Sequence, residues 1–294
     1  MYMRRLIHEG GEFKAVIVDA TEIGRAYFRG AQPSPIALQL VTQAMTGVLL
    51  LSTDLKDEGT LLMRLGGEGP MGQITVEANT DGHVRGFTQN AAVDFERVEG
   101  QGMFQTAIGA GMLKTLRRTQ HMTQPYESVT ELIPGEIALN MAHYLLSSNQ
   151  IQSGIQLGAS LHAEHGVAGA GGILIEAMPG ANQNLLFIVE DRLTTMPGLG
   201  TMFAEPGGMD RISEYLFDDI AVKSLGETGV VYRCSCSRQR MLQIISTLPV
   251  SELAEMVAEN KDFEINCQFC NKAWPCSTQD LSAVIEYKNT QKSE

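Results

Sequence analysis

All five cysteines of this 294-residue chain lie near its carboxyl end. Cys234 and Cys236 form a C-x-C pair in the stretch VYRCSCSRQR, and Cys267 and Cys270 form a C-x-x-C pair in INCQFCNKAWPC. Zinc in proteins takes four ligands at the corners of a tetrahedron, and four thiolates complete that coordination. The spacing therefore predicts one Zn²⁺ per chain, bound by these four cysteines.

Such a site has two possible roles. A carboxyl-terminal region of about 60 residues with modest apolar content often needs a metal for stability, so a purely structural zinc site is one interpretation. The other is redox chemistry, because a disulfide leaves no anionic sulfur to bind a metal. Arg233, Arg238 and Arg240 flank the first pair and favour thiolate character, which supports the second interpretation. The residues alone leave both roles open.

Two further features could contribute to chemistry. Cys276 is a fifth thiol that four-coordinate zinc does not need, and we expect either a partly buried free cysteine beside Trp274 or a resolving thiol. His162 and Glu164 precede a C-x-x-C pair, as in zinc deaminases, but the pair follows roughly a hundred residues later. That assignment also leaves the C-x-C pair unexplained, so we expect His162 and His165 to lie on a surface loop.

The net charge of −12 is unevenly distributed along the chain. Residues 233–294 carry seven Lys and Arg against eight Asp and Glu, whereas residues 1–232 carry 15 against 26. Because phosphate binding needs clustered basic residues, this composition argues against specific nucleic-acid binding. The three arginines beside the first cysteine pair keep one alternative open, a constitutive binding protein with a purely structural zinc ribbon.

Nothing in the composition predicts a membrane or secreted protein. The apolar run GVLLL at residues 47–51 is far below the roughly 20 residues of a membrane span. The first residues include two arginines but no apolar signal segment. An odd number of clustered cysteines is unlike a secreted disulfide framework. We therefore expect a cytoplasmic protein.

The elements that must position these residues begin with an α/β domain. Residues 13–20 and 25–30 have strand character, and SPIALQLVTQAMTGVLLL predicts a helix that starts at Ser34 or Pro35. Three short β-rich runs, GTLLMRL, GQITVEAN and HVRGFTQ, predict an antiparallel meander. A helix over residues 134–150 and two strands, SGIQLGASL and GGILIEAMPG, complete it. For residues 1–180 we expect a large, mainly antiparallel sheet with packed helices.

The rest of the chain has a different character. Residues 181–232 contain short helical pieces separated by PGLG and EPGG, which predicts a helical linker of low local stability. Residues 233–294 predict a small α+β zinc-binding domain. Its three helices are expected to begin at Ser237, Ser251 and Ser277, and a strand and turn carry the second cysteine pair.

CSCSRQR followed at this interval by CQFCN resembles the redox-regulated 33 kDa heat-shock holdase chaperones of the bacterial cytosol. The resemblance extends upstream through GGEGPMG, VRGF, GEIALNMAHYLLSSNQIQSGIQLG and AGGILIEAMPGA, so it covers nearly the whole chain. It is weakest around residues 90–130. The sequence departs from the family after the second pair, where an aromatic-rich stretch is usual and Trp274-Pro275-Cys276 stands here.

This resemblance implies a chaperone rather than an enzyme. It implies an amino-terminal domain for client binding and dimerisation, a metastable linker, and a zinc domain that acts as a redox switch. In the reduced, zinc-bound state the protein would be inactive. Oxidation would form the Cys234–Cys236 and Cys267–Cys270 disulfides and release zinc. The oxidised protein, which can form a homodimer, would then bind unfolding client proteins without ATP.

Elementary energetics supports such a switch. Structural zinc contributes roughly 10–16 kcal/mol of apparent folding free energy, whereas whole domains are stable by only about 5–15 kcal/mol. Loss of the metal should therefore unfold a small domain and loosen the preceding segment. That segment would expose apolar side chains, and an exposed apolar patch can bind other proteins. The expected side chains are Leu185, Leu186, Phe187, Leu199, Met202, Phe203, Tyr215, Leu216 and Phe217.

Overall fold

The computed structural model describes residues 1–55, 58–259 and 262–291, so the last three residues of the predicted zinc domain lie outside the described residues. Contacts divide the chain into two compact units, Met1–Arg233 and Cys234–Glu294. In chain order, the first unit contains β1 (Tyr2–His8), β2 (Phe13–Asp19), α1 (Thr21–Ala31), α2 (Pro35–Ser52), β3 (Gly59–Gly67), β4 (Gln73–Asn79), β5 (His83–Thr88), α3 (Met103–Ile108), β6 (Gly111–Thr119), β7 (Tyr126–Glu131), α4 (Ile137–Asn149), β8 (Ser153–His162), β9 (Gly166–Ala177), α5 (Gln183–Thr195), α6 (Leu199–Ala204), α7 (Gly208–Phe217), β10 (Val222–Gly229) and β11 (Val231–Tyr232). The second unit contains α8 (Arg238–Ile245), α9 (Val250–Ala258), β12 (Phe263–Asn266), β13 (Ala273–Cys276) and α10 (Thr278–Gln291).

The described strands of the first unit form two sheets. One has five strands in the order β10-β1-β2-β9-β8, and all of its neighbours are antiparallel. The other has six strands in the order β11-β5-β4-β3-β6-β7, in which only the short β11–β5 pairing is parallel. The predicted α/β fold with antiparallel strands is confirmed, including the β3–β4–β5 meander. Its strands are divided between two sheets rather than joined in one.

Helix α2 lies in the core between the sheets and contacts strands of both. The hydroxyl of Ser34 accepts a hydrogen bond from the Ala37 N–H at 3.3 Å, which confirms the predicted start of the helix. A Cβ at Gly47 would overlap the end of the Met141 side chain, so Met141 of α4 packs directly on this glycine. By length and composition α2 is also the one straight helix, among the described residues, that could cross a membrane. Because most of its residues are buried in the protein, we interpret it as a core helix.

Two sequence predictions in this unit need correction. The strand predicted over residues 25–30 is wrong, because these residues belong to helix α1. Tyr27 and Phe28 favour strands by propensity, but Ile23 and Tyr27 are four residues apart and bury the same helix face. The sequence analysis also missed β6 and β7. Apolar residues such as Met112 and Leu116 are exposed and Thr115 is buried, so their apolar alternation is weak.

The segment of residues 181–232 packs within the first unit. Side chains of α5, α6 and α7 form a second apolar cluster with the face of the five-stranded sheet that lies opposite α2. Phe13, Ile17 and Ile173 come from the sheet, and Phe203 and Ile212 come from the helices. The predicted short helices are present, but the segment ends in β10 and β11, which extend one edge of each sheet.

The second unit has three helices and a hairpin of β12 and β13 among its described residues. Ser237 accepts a hydrogen bond from the Arg240 N–H, and Ser277 accepts one from the Asp280 N–H, so both predicted helix starts are confirmed. The predicted start at Ser251 is wrong. Helix α9 already begins at Val250, after Pro249 in its extended conformation.

Candidate metal centre

The two cysteine pairs lie on different elements of the second unit. Cys234 and Cys236 precede α8, whereas Cys267 and Cys270 lie on the turn that joins β12 and β13. In that turn the Asn271 N–H donates to the Cys267 carbonyl at 2.8 Å, and Asn271 has a left-handed backbone with φ of 55°. The Cys267 N–H donates to the Lys272 carbonyl at 3.0 Å, which closes the turn. The tight turn lets both of its sulfurs reach one point.

The four sulfur atoms form one compact cluster, in which every Sγ lies within 4.8 Å of the others. The Sγ atoms of Cys234 and Cys267 are 3.6 Å apart, and those of Cys236 and Cys270 are 3.5 Å apart. A tetrahedron of thiolates at the usual zinc–sulfur distance has edges of about 3.8 Å. The cluster therefore has the donor set and the size of a four-thiolate zinc site. Cys267 is buried, with 4% of its surface exposed, and the other three are half-buried.

Electrostatics within the cluster supports a bound cation. Burial acts to raise the pKa of the Cys234 thiol, but hydrogen bonds from the Cys236 N–H and from neighbouring thiols outweigh it, and this pKa is lowered overall. The pKa values of Cys267 and Cys270 are raised by burial and by the neighbouring cysteine sulfurs. One thiolate in the cluster therefore makes ionisation of the neighbouring thiol less favourable. Four thiolates side by side need a positive charge among them.

The arginines near the first pair make structural contacts. Arg238 forms an ion pair with Asp280 at 2.6 Å, which connects α8 to the first turn of α10. Arg240 donates to the carbonyl of Ser235 at 2.9 Å and also to its hydroxyl. The largest causes that lower the pKa of Cys234 are hydrogen bonds. The effect of the arginines on these thiols stays a prediction.

The remaining candidates lie outside the cluster. Cys276 is 1% exposed and packs in the apolar core of the second unit with Ile245, Leu253 and Leu281. Burial, reinforced by the charge of Asp280, raises the pKa of its thiol. Cys276 is thus more deeply buried than the partly buried cysteine that we expected.

Both histidines lie on the surface as predicted, although His162 is the last residue of β8 rather than part of a loop. His162 and His165 are exposed at the β8–β9 turn, and their rings stack 4.9 Å apart. Across residues 1–55, 58–259 and 262–291, the four-cysteine cluster is the one group with the arrangement of a metal site.

Known proteins resemble the chain over almost its entire length. A family model described as "Hsp33 protein" matches residues 2–276. A "33 kDa chaperonin" of Desulfotalea psychrophila is 29% identical over 290 residues, covering 98% of this chain and 99% of the relative. One from Acetivibrio thermocellus is 30% identical over 295 residues and covers 99% of both chains.

A solved structure has the same fold. The crystal structure of a 33 kDa chaperonin (heat shock protein 33 homolog) from Thermotoga maritima superimposes with a TM-score of 0.87. It covers 98% of this chain and 99% of its own, at 24% identity. At that identity the likeness supports the fold alone, and it does so for both units.

Proposed function

This chain belongs to the Hsp33 family, and from that premise we propose that it is a redox-activated, ATP-independent holdase chaperone. The single observation that carries the proposal is the cluster of four cysteine sulfurs in a unit with a very small apolar core. Its relatives named 33 kDa chaperonin support a chaperone role. We take residues 1–180 as the client-binding and dimerisation domain, residues 181–232 as a metastable linker, and residues 233–294 as the redox switch.

In the resting state, Cys234, Cys236, Cys267 and Cys270 hold one Zn²⁺. The metal, when bound, neutralises the thiolates and fastens the segment before α8 to the β12–β13 turn. The protein's own contribution is to keep two sulfurs of each pair close in sequence. Their local spacing allows each pair to close into a disulfide without help from distant residues.

Activation is oxidation of both pairs. Each pair of thiolates gives up two electrons as its S–S bond forms, and one peroxide molecule takes up these electrons and two protons from solvent to become two waters. Two peroxide molecules therefore convert the four thiols to the Cys234–Cys236 and Cys267–Cys270 disulfides. A disulfide sulfur carries no negative charge, so the metal is released. The second unit then loses the cross-link that supplements its small core.

Client binding follows from loosening of the linker. In the resting structure Leu186, Leu199 and Phe203 are buried against the five-stranded sheet, whereas Phe187 is already 70% exposed. Because these helices pack on the sheet, their departure uncovers two apolar surfaces, that of the helices and that of the sheet. Unfolding proteins are the proposed partners, and the oxidised protein is proposed to act as a homodimer in the cytoplasm. The acidic surface of the first unit helps to keep a complex soluble.

The test is suppression of light scattering by a heat-aggregating enzyme, with reduced and with peroxide-treated protein. We expect suppression only after oxidation, together with loss of four thiols and one zinc per chain. Mass spectrometry should map the disulfides to Cys234–Cys236 and Cys267–Cys270. A Cys276→Ala variant, which removes the thiol without burying a hydroxyl, serves as the control and should behave like the parent protein. Equal suppression by both forms would instead support a constitutive binding protein with a purely structural zinc ribbon.

A further inference from the structure

The edge of the five-stranded sheet is covered by a strand from the linker. β10 pairs antiparallel with β1, from Tyr2 opposite Gly229 to His8 opposite Val222. The ladder is extended by hydrogen bonds from the Glu9 N–H to the Ala221 carbonyl and from the Val230 N–H to the Met1 carbonyl. Without β10, the outer backbone N–H and C=O groups of β1 would have no strand partner in the sheet.

β10 is poorly suited to be a permanent edge strand. Its sequence, VKSLGETG, contains two glycines and few β-branched residues. The β1–β10 register shifts between Arg5 and Leu6, and Gly226 in β10 has φ of 119°. Most side chains of β10 are exposed, and Leu225 is 48% exposed. The strand is therefore held mainly by backbone hydrogen bonds and little by side-chain burial.

One side chain of β1 fastens this strand and a linker helix together. Arg4 binds the carboxylate of Glu227 in β10 at 2.9 Å and that of Asp210 in α7 at 2.8 Å. It also lies 5.5 Å from the centre of the Tyr2 ring. Both acidic partners belong to residues 181–232. Loosening of that segment would remove both carboxylates and leave the Arg4 guanidinium at the sheet edge without these partners.

The position of β10 in the chain connects it to the cysteine site. After β10 come only Val230 and the two residues of β11, and then the Arg233 N–H donates to the Val84 carbonyl at 2.9 Å. Cys234 is the next residue. The linker residues that directly precede the cysteines in sequence are therefore the ones that cover sheet edges. β10 covers the edge at β1, and β11 covers the edge at β5.

We propose that the edge of β1 is a strand-addition site for extended segments of client proteins, occupied in the resting state by β10. This inference rests on the proposed function, because it requires the linker to loosen on oxidation. A client segment would replace β10 and satisfy the same backbone groups of β1, whatever its side chains. Arg4 would favour an acidic residue at the position that Glu227 now holds. Proline in the pairing segment would be excluded, since it removes a donor.

Hydrogen exchange measured by mass spectrometry tests the proposal directly. The probe client is reduced and alkylated serum albumin, which stays unfolded. We expect residues 2–8 to lose part of their amide protection when the full-length protein is oxidised and to regain it when the client binds. β2 pairs with β1 and β9 on its two sides, so residues 13–19 should stay protected throughout and serve as the internal control.

A variant with a stronger resting strand provides a second measurement. Lys223→Ile with Ser224→Val replaces two exposed side chains of β10 by better strand formers. If β10 competes with the client, the two substitutions should strengthen the pairing of β10 with β1. They should therefore weaken client binding by the oxidised protein by about tenfold. Lys114→Ile with Ser128→Val makes the same exchanges on β6 and β7 and should leave the affinity unchanged.

The outcomes separate this inference from the proposed function. Regained protection in residues 2–8, with weaker binding in the β10 variant alone, supports strand addition. Client binding without a change in residues 2–8, or equal affinities for the two variants, overturns it while leaving the holdase function intact. If the oxidised parent protein does not suppress aggregation at all, the proposed function fails and this inference fails with it.

Discussion

The two compact units of this protein are stabilised in different ways. The first buries two large apolar clusters, one between its sheets and one beneath the linker helices. The apolar core of the second contains four buried residues, Ile245, Leu253, Cys276 and Leu281. A chain of more than 200 residues can bury enough surface to fold on that basis, whereas one of about 60 residues is marginal. The four sulfurs lie in the unit with the smaller apolar core, which is why we propose that oxidation unfolds this unit first.

The largest expected effect comes from loss of one buried sulfur. In a Cys267→Ser variant we expect the second unit to lose zinc and unfold, because the metal contributes roughly 10–16 kcal/mol to units of this kind. Trp274 is the single tryptophan of the chain and belongs to this unit, so its fluorescence follows the change. Zinc content is measured in parallel. Stoichiometric zinc in the variant would contradict a four-cysteine site, and Cys276→Ala is the control that should keep its metal.

The next effect compares one apolar truncation in each unit. Leu49 in α2 and Leu253 in α9 are both fully buried, and each change to alanine should cost about 2–5 kcal/mol. In the first unit, Leu49→Ala should lower the free energy of unfolding and leave zinc affinity unchanged. In the second, Leu253→Ala should appear mainly as weaker zinc binding, because folding and metal binding are coupled. Urea unfolding measures the free energy of unfolding, and competition with a chelator measures zinc affinity. Equal zinc affinities in the Leu49→Ala and Leu253→Ala variants would show that the two units are not stabilised in different ways.

A buried carboxylate gives the first unit a pH dependence of its own. Burial, and next the charge of Asp54, raise the pKa of Glu176 to about 7, although Lys14 lies 3.3 Å from its carboxylate and acts in the opposite direction. A carboxyl whose pKa is raised on folding stabilises the protein below its unfolded pKa, and this contribution is lost as the pH rises through the folded value. The first unit should therefore lose of the order of 2 kcal/mol between pH 4.5 and 7 from this group.

The measurement is urea unfolding of the first unit at pH 5 and pH 8, followed by far-ultraviolet circular dichroism. In Glu176→Gln the difference between the free energies of unfolding at pH 5 and at pH 8 should shrink by that amount. The exposed Glu131→Gln is the matched control and should retain the difference. An unchanged pH dependence in Glu176→Gln would show that this carboxyl does not titrate in that range.

The sequence predicted those features that depend on neighbours in the chain. The cysteine spacing identified the cluster, Ser34 marked the start of α2, and short alternating runs predicted the meander. Each cysteine pair, helix cap and alternating strand is a pattern within a few consecutive residues. Ser237 and Ser277 were found for the same reason, since a capping side chain bonds to backbone two or three residues away.

Features that depend on distant partners were missed. Residues 25–30 form a helix because Ile23 and Tyr27 pack into a core made by other elements. β10 has little strand character of its own and is a strand because β1 lies beside it. The depth at which Cys276 is buried follows from three helices that meet around it, which no local pattern records.

The smallest expected effect compares the same helix cap in the two units. Ser34→Ala and Ser277→Ala each remove a hydroxyl that accepts a backbone N–H, at a typical cost of about 1 kcal/mol. In the first unit this is a small part of a large stability, and zinc affinity should not change. In the second unit the same loss acts on a fold completed by metal, so zinc should bind about fivefold more weakly. Chelator competition measures both variants. Equal zinc affinities would mean that the metal-free second unit is already folded, and the contrast between the units would then be one of size rather than of mechanism.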